Sequence, residues 1–184
     1  LFEALLAQNH NIKIREGIEP ADGMRDIAIK RGMDVRPGTA EDVDLGKAQY
    51  DTIIYNGTSS YINDLEKAFQ NAHRALKTGG KLLVLDVPKE SSYGLLYNLG
   101  KEIGSWDHPY FKGAAPDSVY PVEFVVAANW RSTPEKVELL KKVGFAEFKF
   151  AQTLTKHPVY SDLEKEEPQE GYDRGDYVCI CAKK

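Results

Sequence analysis

Residues 17–45, GIEPADGMRDIAIKRGMDVRPGTAEDVDL, and 50–87, YDTIIYNGTSSYINDLEKAFQNAHRALKTGGKLLVLDV, decide the fold. Here short apolar runs alternate with segments of helical spacing. The run 12–18 (IKIREGI) predicts a strand that ends in Glu19-Pro20. Pro20 and Ala21 open a helix with Met24, Ile27 and Ala28 at helical spacing, and Gly32 closes it. A short strand, Met33 to Arg36, leads into the loop 37–42. Tyr50 to Tyr55 is a strand, followed by the polar turn Asn56-Gly57-Thr58-Ser59-Ser60. Asp64 to Leu76 carries Leu65, Ala68, Phe69, Ala72 and Leu76 on one helical face, and Thr78-Gly79-Gly80 is expected to end that helix. Lys81 to Val87 is nearly all apolar, as in a strand covered by helices on both sides.

Working outward, residues 1–9 read as a helix. Residues 89–130 are less regular and rich in aromatics. A helix then starts at Ser132, with Glu135 completing a capping box, Pro134 in the first turn and Gly144 as the stop. Phe145 to Leu154 is a strand, 155–175 a long polar loop and Asp176 to Ala182 the final strand. Alternating strands and helices predict an α/β fold, a mostly parallel sheet wound on both faces. Two successive strands at the end, with no helix between them, predict an antiparallel C-terminal pair at the edge of the sheet.

The 184 residues are enough for one domain with its own core, and no stretch approaches the ~18 consecutive apolar residues of a membrane helix. A net charge of −4 argues against a nucleic-acid backbone as partner. Cys179 and Cys181 sit two apart in a strand and read as small buried hydrophobes, which fits a reducing cytoplasm. His10, His73, His108 and His157 are scattered without metal-ligand spacing, so no metal is expected.

In such sheets a ligand binds beyond the carboxyl ends of the strands. Three of those ends carry suggestive residues. Glu19 can accept hydrogen bonds from both hydroxyls of a ribose, the loop Thr39-Ala40-Glu41-Asp42 can frame an adenine, and Asn56-Gly57-Thr58 lies where a reacting group would sit. Taken singly, the acids are also ordinary helix-start carboxylates and Asn56-Gly57 an ordinary turn. Their order along one framework gives them weight.

The stretches quoted above resemble class I S-adenosylmethionine-dependent methyltransferases, of the ubiquinone-biosynthesis-like (type 11) group. The likeness lies in Glu19-Pro20, Met24, Gly38-Thr39-Ala40-Glu41-Asp42, Tyr50-Asp51 and Arg74-Ala75-Leu76-Lys77-Thr78-Gly79-Gly80, with the tail WRSTPEKVELLKKVGF similar too. Residues 88–130 match least. The resemblance implies a Rossmann-like, doubly wound sheet and a single domain over 1–184, with 89–130 as a substrate-covering insertion. It implies S-adenosyl-L-methionine as cofactor. Glu19 would bind the ribose, with Pro20 and Met24 shaping the pocket. Thr39, Ala40 and Glu41 would flank the adenine, and Asn56, Gly57 and Thr58 would line the methyl end. Thr39 stands where many relatives have aspartate. Tyr61, Tyr93, Tyr97 and Trp106 are the candidates to line an acceptor pocket.

The family's first strand and glycine-rich loop have no counterpart upstream of Glu19, so the natural protein is expected to begin earlier than Leu1. The expected acceptor is a small molecule, with no nucleic-acid or membrane partner, and a homodimer is compatible with the aromatic segment. Two other readings compete. A nicotinamide dehydrogenase also places an acid at the second strand's end, but lacks the Gly-Thr-Ala-Glu stretch. A non-catalytic member of the methyltransferase fold, acting in binding or regulation, is the other. No catalytic residue is singled out, because the cofactor carries the reactive group.

Overall fold

The computed structural model describes residues 2–116, 120–160 and 165–184. Leu1 of the first predicted helix, 117–119 of the predicted covering segment and 161–164 of the predicted loop lie outside the described residues. The chain divides into two compact units, Leu1–Asp44 and Leu45–Lys184.

The first unit contains α1 (Phe2–His10), β1 (Gly17–Ile18), α2 (Asp22–Lys30) and β2 (Val35–Arg36). β1 and β2 pair in parallel, Gly17 opposite Val35 and Ile18 opposite Arg36. The predicted strand over 12–18 contracts to two residues because its described partner is only two residues long, and a strand extends only as far as its ladder. Ala21, at the start of α2, has no side chain to cap the helix. Glu19 does this instead, Oε1 accepting from the Ala21 amide at 2.9 Å.

The second unit holds a five-stranded sheet in the order β3 (Tyr50–Asn56), β4 (Leu76–Asp86), β7 (Tyr177–Lys183), β5 (Ala146–Thr153), β6 (Gln169–Glu170). β3 and β4 are parallel, and β7 runs antiparallel to both of its neighbours. The expected antiparallel pair is therefore present as β5 and β7, but β7 lies between β4 and β5 and the edge belongs to β6. Alternation explains the place of β7: Val178, Ile180 and Ala182 are all buried and need cover that an edge does not give.

Four α-helices lie in this unit among the described residues, α3 (Leu65–Ala75), α4 (Ser92–Ile103), α5 (Val122–Ala127) and α6 (Thr133–Val143), together with single-turn segments. α3 presents the predicted face, with Leu65, Ala68, Phe69 and Ala72 buried, and Asp64 caps it by accepting from the Lys67 amide. The helix ends earlier than glycine would end it. Leu76 is already extended, and the register jumps from Tyr50 opposite Leu76 to Thr52 opposite Lys81, so 77–80 bulge out of the ladder. α6 has the predicted capping box between Ser132 and Glu135, and Gly144 adopts the left-handed conformation at its end. Phe69, Leu82, Val84, Leu140 and Ile180 form the centre of the core.

Candidate functional site

In the first unit the candidate residues gather at the carboxyl ends of β1 and β2. The two strands are parallel, so Glu19 and the loop from Pro37 leave from the same end, and the Glu19 amide donates to the Arg36 carbonyl at 3.1 Å. Glu19 is half-buried. With Oε1 on the Ala21 amide, its second carboxylate oxygen has no partner among the described residues. Arg25, one turn into α2, donates to the Glu19 carbonyl at 3.1 Å and fixes the strand-to-helix turn. Pro20 is exposed and Met24 is 60% exposed, so both present surface and not core. In the second loop Thr39 Oγ1 donates to Asp42 Oδ2 at 3.3 Å, and the Asp42 and Val43 amides donate to the Thr39 carbonyl. This one-turn wrap holds Ala40 and Glu41, both half-buried, at its apex.

In the second unit Asn56 is the last residue of β3, and Gly57-Thr58 follow it. The Gly57 amide donates to the Leu85 carbonyl at 2.7 Å, tying the turn to β4. Gly57 has φ +62°, a conformation that costs any residue with a Cβ. Tyr177 donates to Asn56 Oδ1 at 2.9 Å, and burial pushes the Tyr177 phenol up to about 12.

Three of the four acceptor candidates come together. Tyr93, Tyr97 and Trp106 line a cavity of about 410 Å³, with Tyr120, Pro121 and Leu154 among its other walls. Tyr97 is the hub, its ring 5.7 Å from Tyr93, 6.2 Å from Trp106 and 4.8 Å from Trp130. Tyr61 is not among the lining residues but touches one of them, its hydroxyl donating to Tyr120 Oη at 3.2 Å. Burial foremost, then that hydrogen bond, raises the Tyr61 phenol well above its ordinary value. Gly100 lets the wall close, since a Cβ there would sit 2.9 Å from the Trp106 ring.

A buried polar cluster that sequence reading passed over supports this wall. Asp86, the last residue of β4, accepts from the Ser59 hydroxyl, from the Ser60 hydroxyl at 2.8 Å and from the Val87 amide at 2.9 Å. Lys136 of α6 lies 3.6 Å from it, and both side chains are almost fully enclosed. Arg131 donates to the carbonyls of Ser59, Ile62 and Asn63, clamping the same turn from outside. Asp176 is a second buried acid, and accepts from the Tyr93 amide at the start of α4. The signal for the cluster was present in the sequence. Asp86 is a lone charge in an apolar run, and Lys136 shares the buried spacing of Thr133, Val137 and Leu140.

Comparisons with known proteins identify the family. A family model described as "Methyltransferase domain" matches residues 3–84. "Uncharacterized protein MJ1123" of Methanocaldococcus jannaschii is 30% identical over 178 residues, spanning 97% of this chain and 76% of that protein. Among solved structures, a Thermotoga maritima protein described as a SAM-dependent methyltransferase, possible histamine N-methyltransferase, is 37% identical with a TM-score of 0.78. The match covers 92% of this chain and 73% of that one. A Mesorhizobium loti S-adenosylmethionine-dependent methyltransferase shares the fold at 15% identity and a TM-score of 0.62, over 95% of this chain and 83% of that one. These relatives show that the chain belongs to the class I S-adenosylmethionine-dependent methyltransferases.

Proposed function

We propose that the enzyme methylates a small-molecule acceptor held in the aromatic cavity of its second unit. The observation that carries this reading is the convergence of Tyr93, Tyr97 and Trp106 on one cavity of about 410 Å³. That volume falls in the range of roughly 300–1,000 Å³ usual for small-molecule sites. The Thermotoga maritima relative, described as a possible histamine N-methyltransferase, also points to a small acceptor. The residues 89–130 act as the acceptor-covering segment, and both units are parts of one methyltransferase domain, as the family match across 3–84 suggests. Two free, half-buried cysteines suit a reducing, cytoplasmic setting.

The residues present fit the cofactor by their donor chemistry. Glu19 keeps one carboxylate oxygen for a ribose diol, and the left-handed Gly57 leaves backbone uncovered by any side chain of its own. Pro20 and Met24 form apolar surface beside Glu19. In the first unit Thr39, Ala40 and Glu41 would flank the adenine mainly through backbone groups. In the second unit Asn56, Gly57 and Thr58 would line the methyl end. S-adenosylmethionine supplies an electrophilic methyl group on a sulfonium, open to in-line displacement. The chain's own task is to orient the acceptor and exclude water, which an apolar aromatic wall does. Tyr61, whose hydroxyl donates to Tyr120 Oη, braces the cavity wall from behind.

Incubating the enzyme with methyl-tritiated S-adenosylmethionine and a cell extract tests this reading. Label in the fraction below about 1 kDa, the range of ligands such a cavity encloses, is expected. Label confined to protein or nucleic acid overturns it.

A further inference from the structure

The cavity has a chemical bias that its volume alone does not give. None of its described lining residues carries a charge. Two donors on its wall are already engaged: Trp106 Nε1 donates to the Tyr120 carbonyl at 2.8 Å, and the Tyr93 hydroxyl to the Pro158 carbonyl at 3.4 Å. The Tyr61 hydroxyl is spent on Tyr120 Oη.

The charges behind the wall are engaged as well. Asp176 holds the Tyr93 amide, and Asp86 holds the serines that precede Tyr61. Of the cations packed around this region, Lys101 donates to the Ala128 carbonyl, Arg131 to the carbonyls of the 59–63 turn, and Lys136 faces Asp86. A carboxylate or phosphate entering the cavity would shed its water and meet no cation among the described lining residues. Aromatic faces, by contrast, favour flat apolar rings and attract cations.

We infer that the acceptor is a planar, largely apolar small molecule without negative charge, gripped by the rings of Tyr93, Tyr97 and Trp106. This inference rests on the acceptor reading given above and sharpens it to a charge class.

Three probes of one shape test it: 2-phenylethylamine, 2-phenylethanol and phenylacetate, which are cationic, neutral and anionic at pH 7. The chain has two tryptophans, so Trp130→Phe leaves Trp106 on the cavity wall as sole reporter. Calorimetry on the unaltered protein gives the same ranking if that variant does not fold. The amine and the alcohol are expected to change Trp106 emission saturably, and phenylacetate to bind weaker by about tenfold or more, which is 1.4 kcal/mol or more. Phenylacetate binding as tightly as either of the others overturns the inference, as does a failure of all three to bind. Discrimination without any binding of S-adenosylhomocysteine would keep the cavity's selectivity and remove the methyl-transfer reading. Cofactor binding without discrimination would do the opposite.

Discussion

Lys136 and Asp86 face each other at 3.6 Å in the interior, each almost fully enclosed, with two serine hydroxyls on the same carboxylate. Burial draws the lysine below its ordinary range and Asp86 pulls it back. Removing one partner leaves a lone buried charge. Lys136→Ala is expected to cost about 3–5 kcal/mol, and the double change Asp86→Asn with Lys136→Met to recover most of it. Urea denaturation of the single and double variants checks both. A double variant no more stable than the single would show that the pair is not the source of the loss.

Asp176 is buried and its carboxyl is raised above the ordinary range, mainly by desolvation. A carboxyl raised on folding adds stability that is complete below its unfolded pKa and is lost as pH rises through the folded one. Asp176→Asn keeps an acceptor for the Tyr93 amide and removes that loss, so its Tm at pH 7 should equal or exceed that of the unaltered protein. Asp176→Ala deletes the acceptor and should cost about 1 kcal/mol, the worth of a helix cap. Thermal melts at pH 5 and 7 separate the two.

Glu135 behaves oppositely. Its carboxyl is lowered, first by accepting from the Ser132 amide in the capping box. Its contribution is present above the ordinary glutamate range and fades as pH falls through the depressed value. Because the group is exposed, the effect is small. Glu135→Ala should lower Tm at pH 7, and the difference from the unaltered protein should shrink as pH falls below the ordinary glutamate range.

Burial pushes the Cys179 thiol up to about 11. Only the thiolate reacts, so at pH 8 about one molecule in a thousand is competent. Alkylation of Cys179 by iodoacetamide should run at least tenfold slower than that of an unhindered thiol, and mass spectrometry of the peptide carrying it measures the rate. Equal rates would contradict the burial.

Much of this architecture was legible in the chain. The faces of α3 and α6, the capping box and the alternation of strand and helix are local patterns, and each local preference agrees with the fold. The candidate residues at strand ends were legible because parallel strands send their carboxyl ends the same way. Two things were not. The insertion of β7 between β4 and β5 is a choice of partner, which no periodicity records. The reach of Asp86 to Lys136 joins residues fifty positions apart by number, and only their unusual placement in apolar patterns hinted at it.

The central claim is that this chain is built to hold S-adenosylmethionine, with Glu19 on the ribose. Calorimetric titration of S-adenosylhomocysteine into the protein tests it most directly. A saturable one-to-one heat is expected, weakened about ten- to a hundredfold in Glu19→Ala, the value of charge-assisted hydrogen bonds of roughly 1.5–3 kcal/mol. The variant's melting temperature separates lost contacts from lost folding. No heat with either S-adenosylhomocysteine or S-adenosylmethionine, or a heat that Glu19→Ala leaves unchanged, would contradict the account.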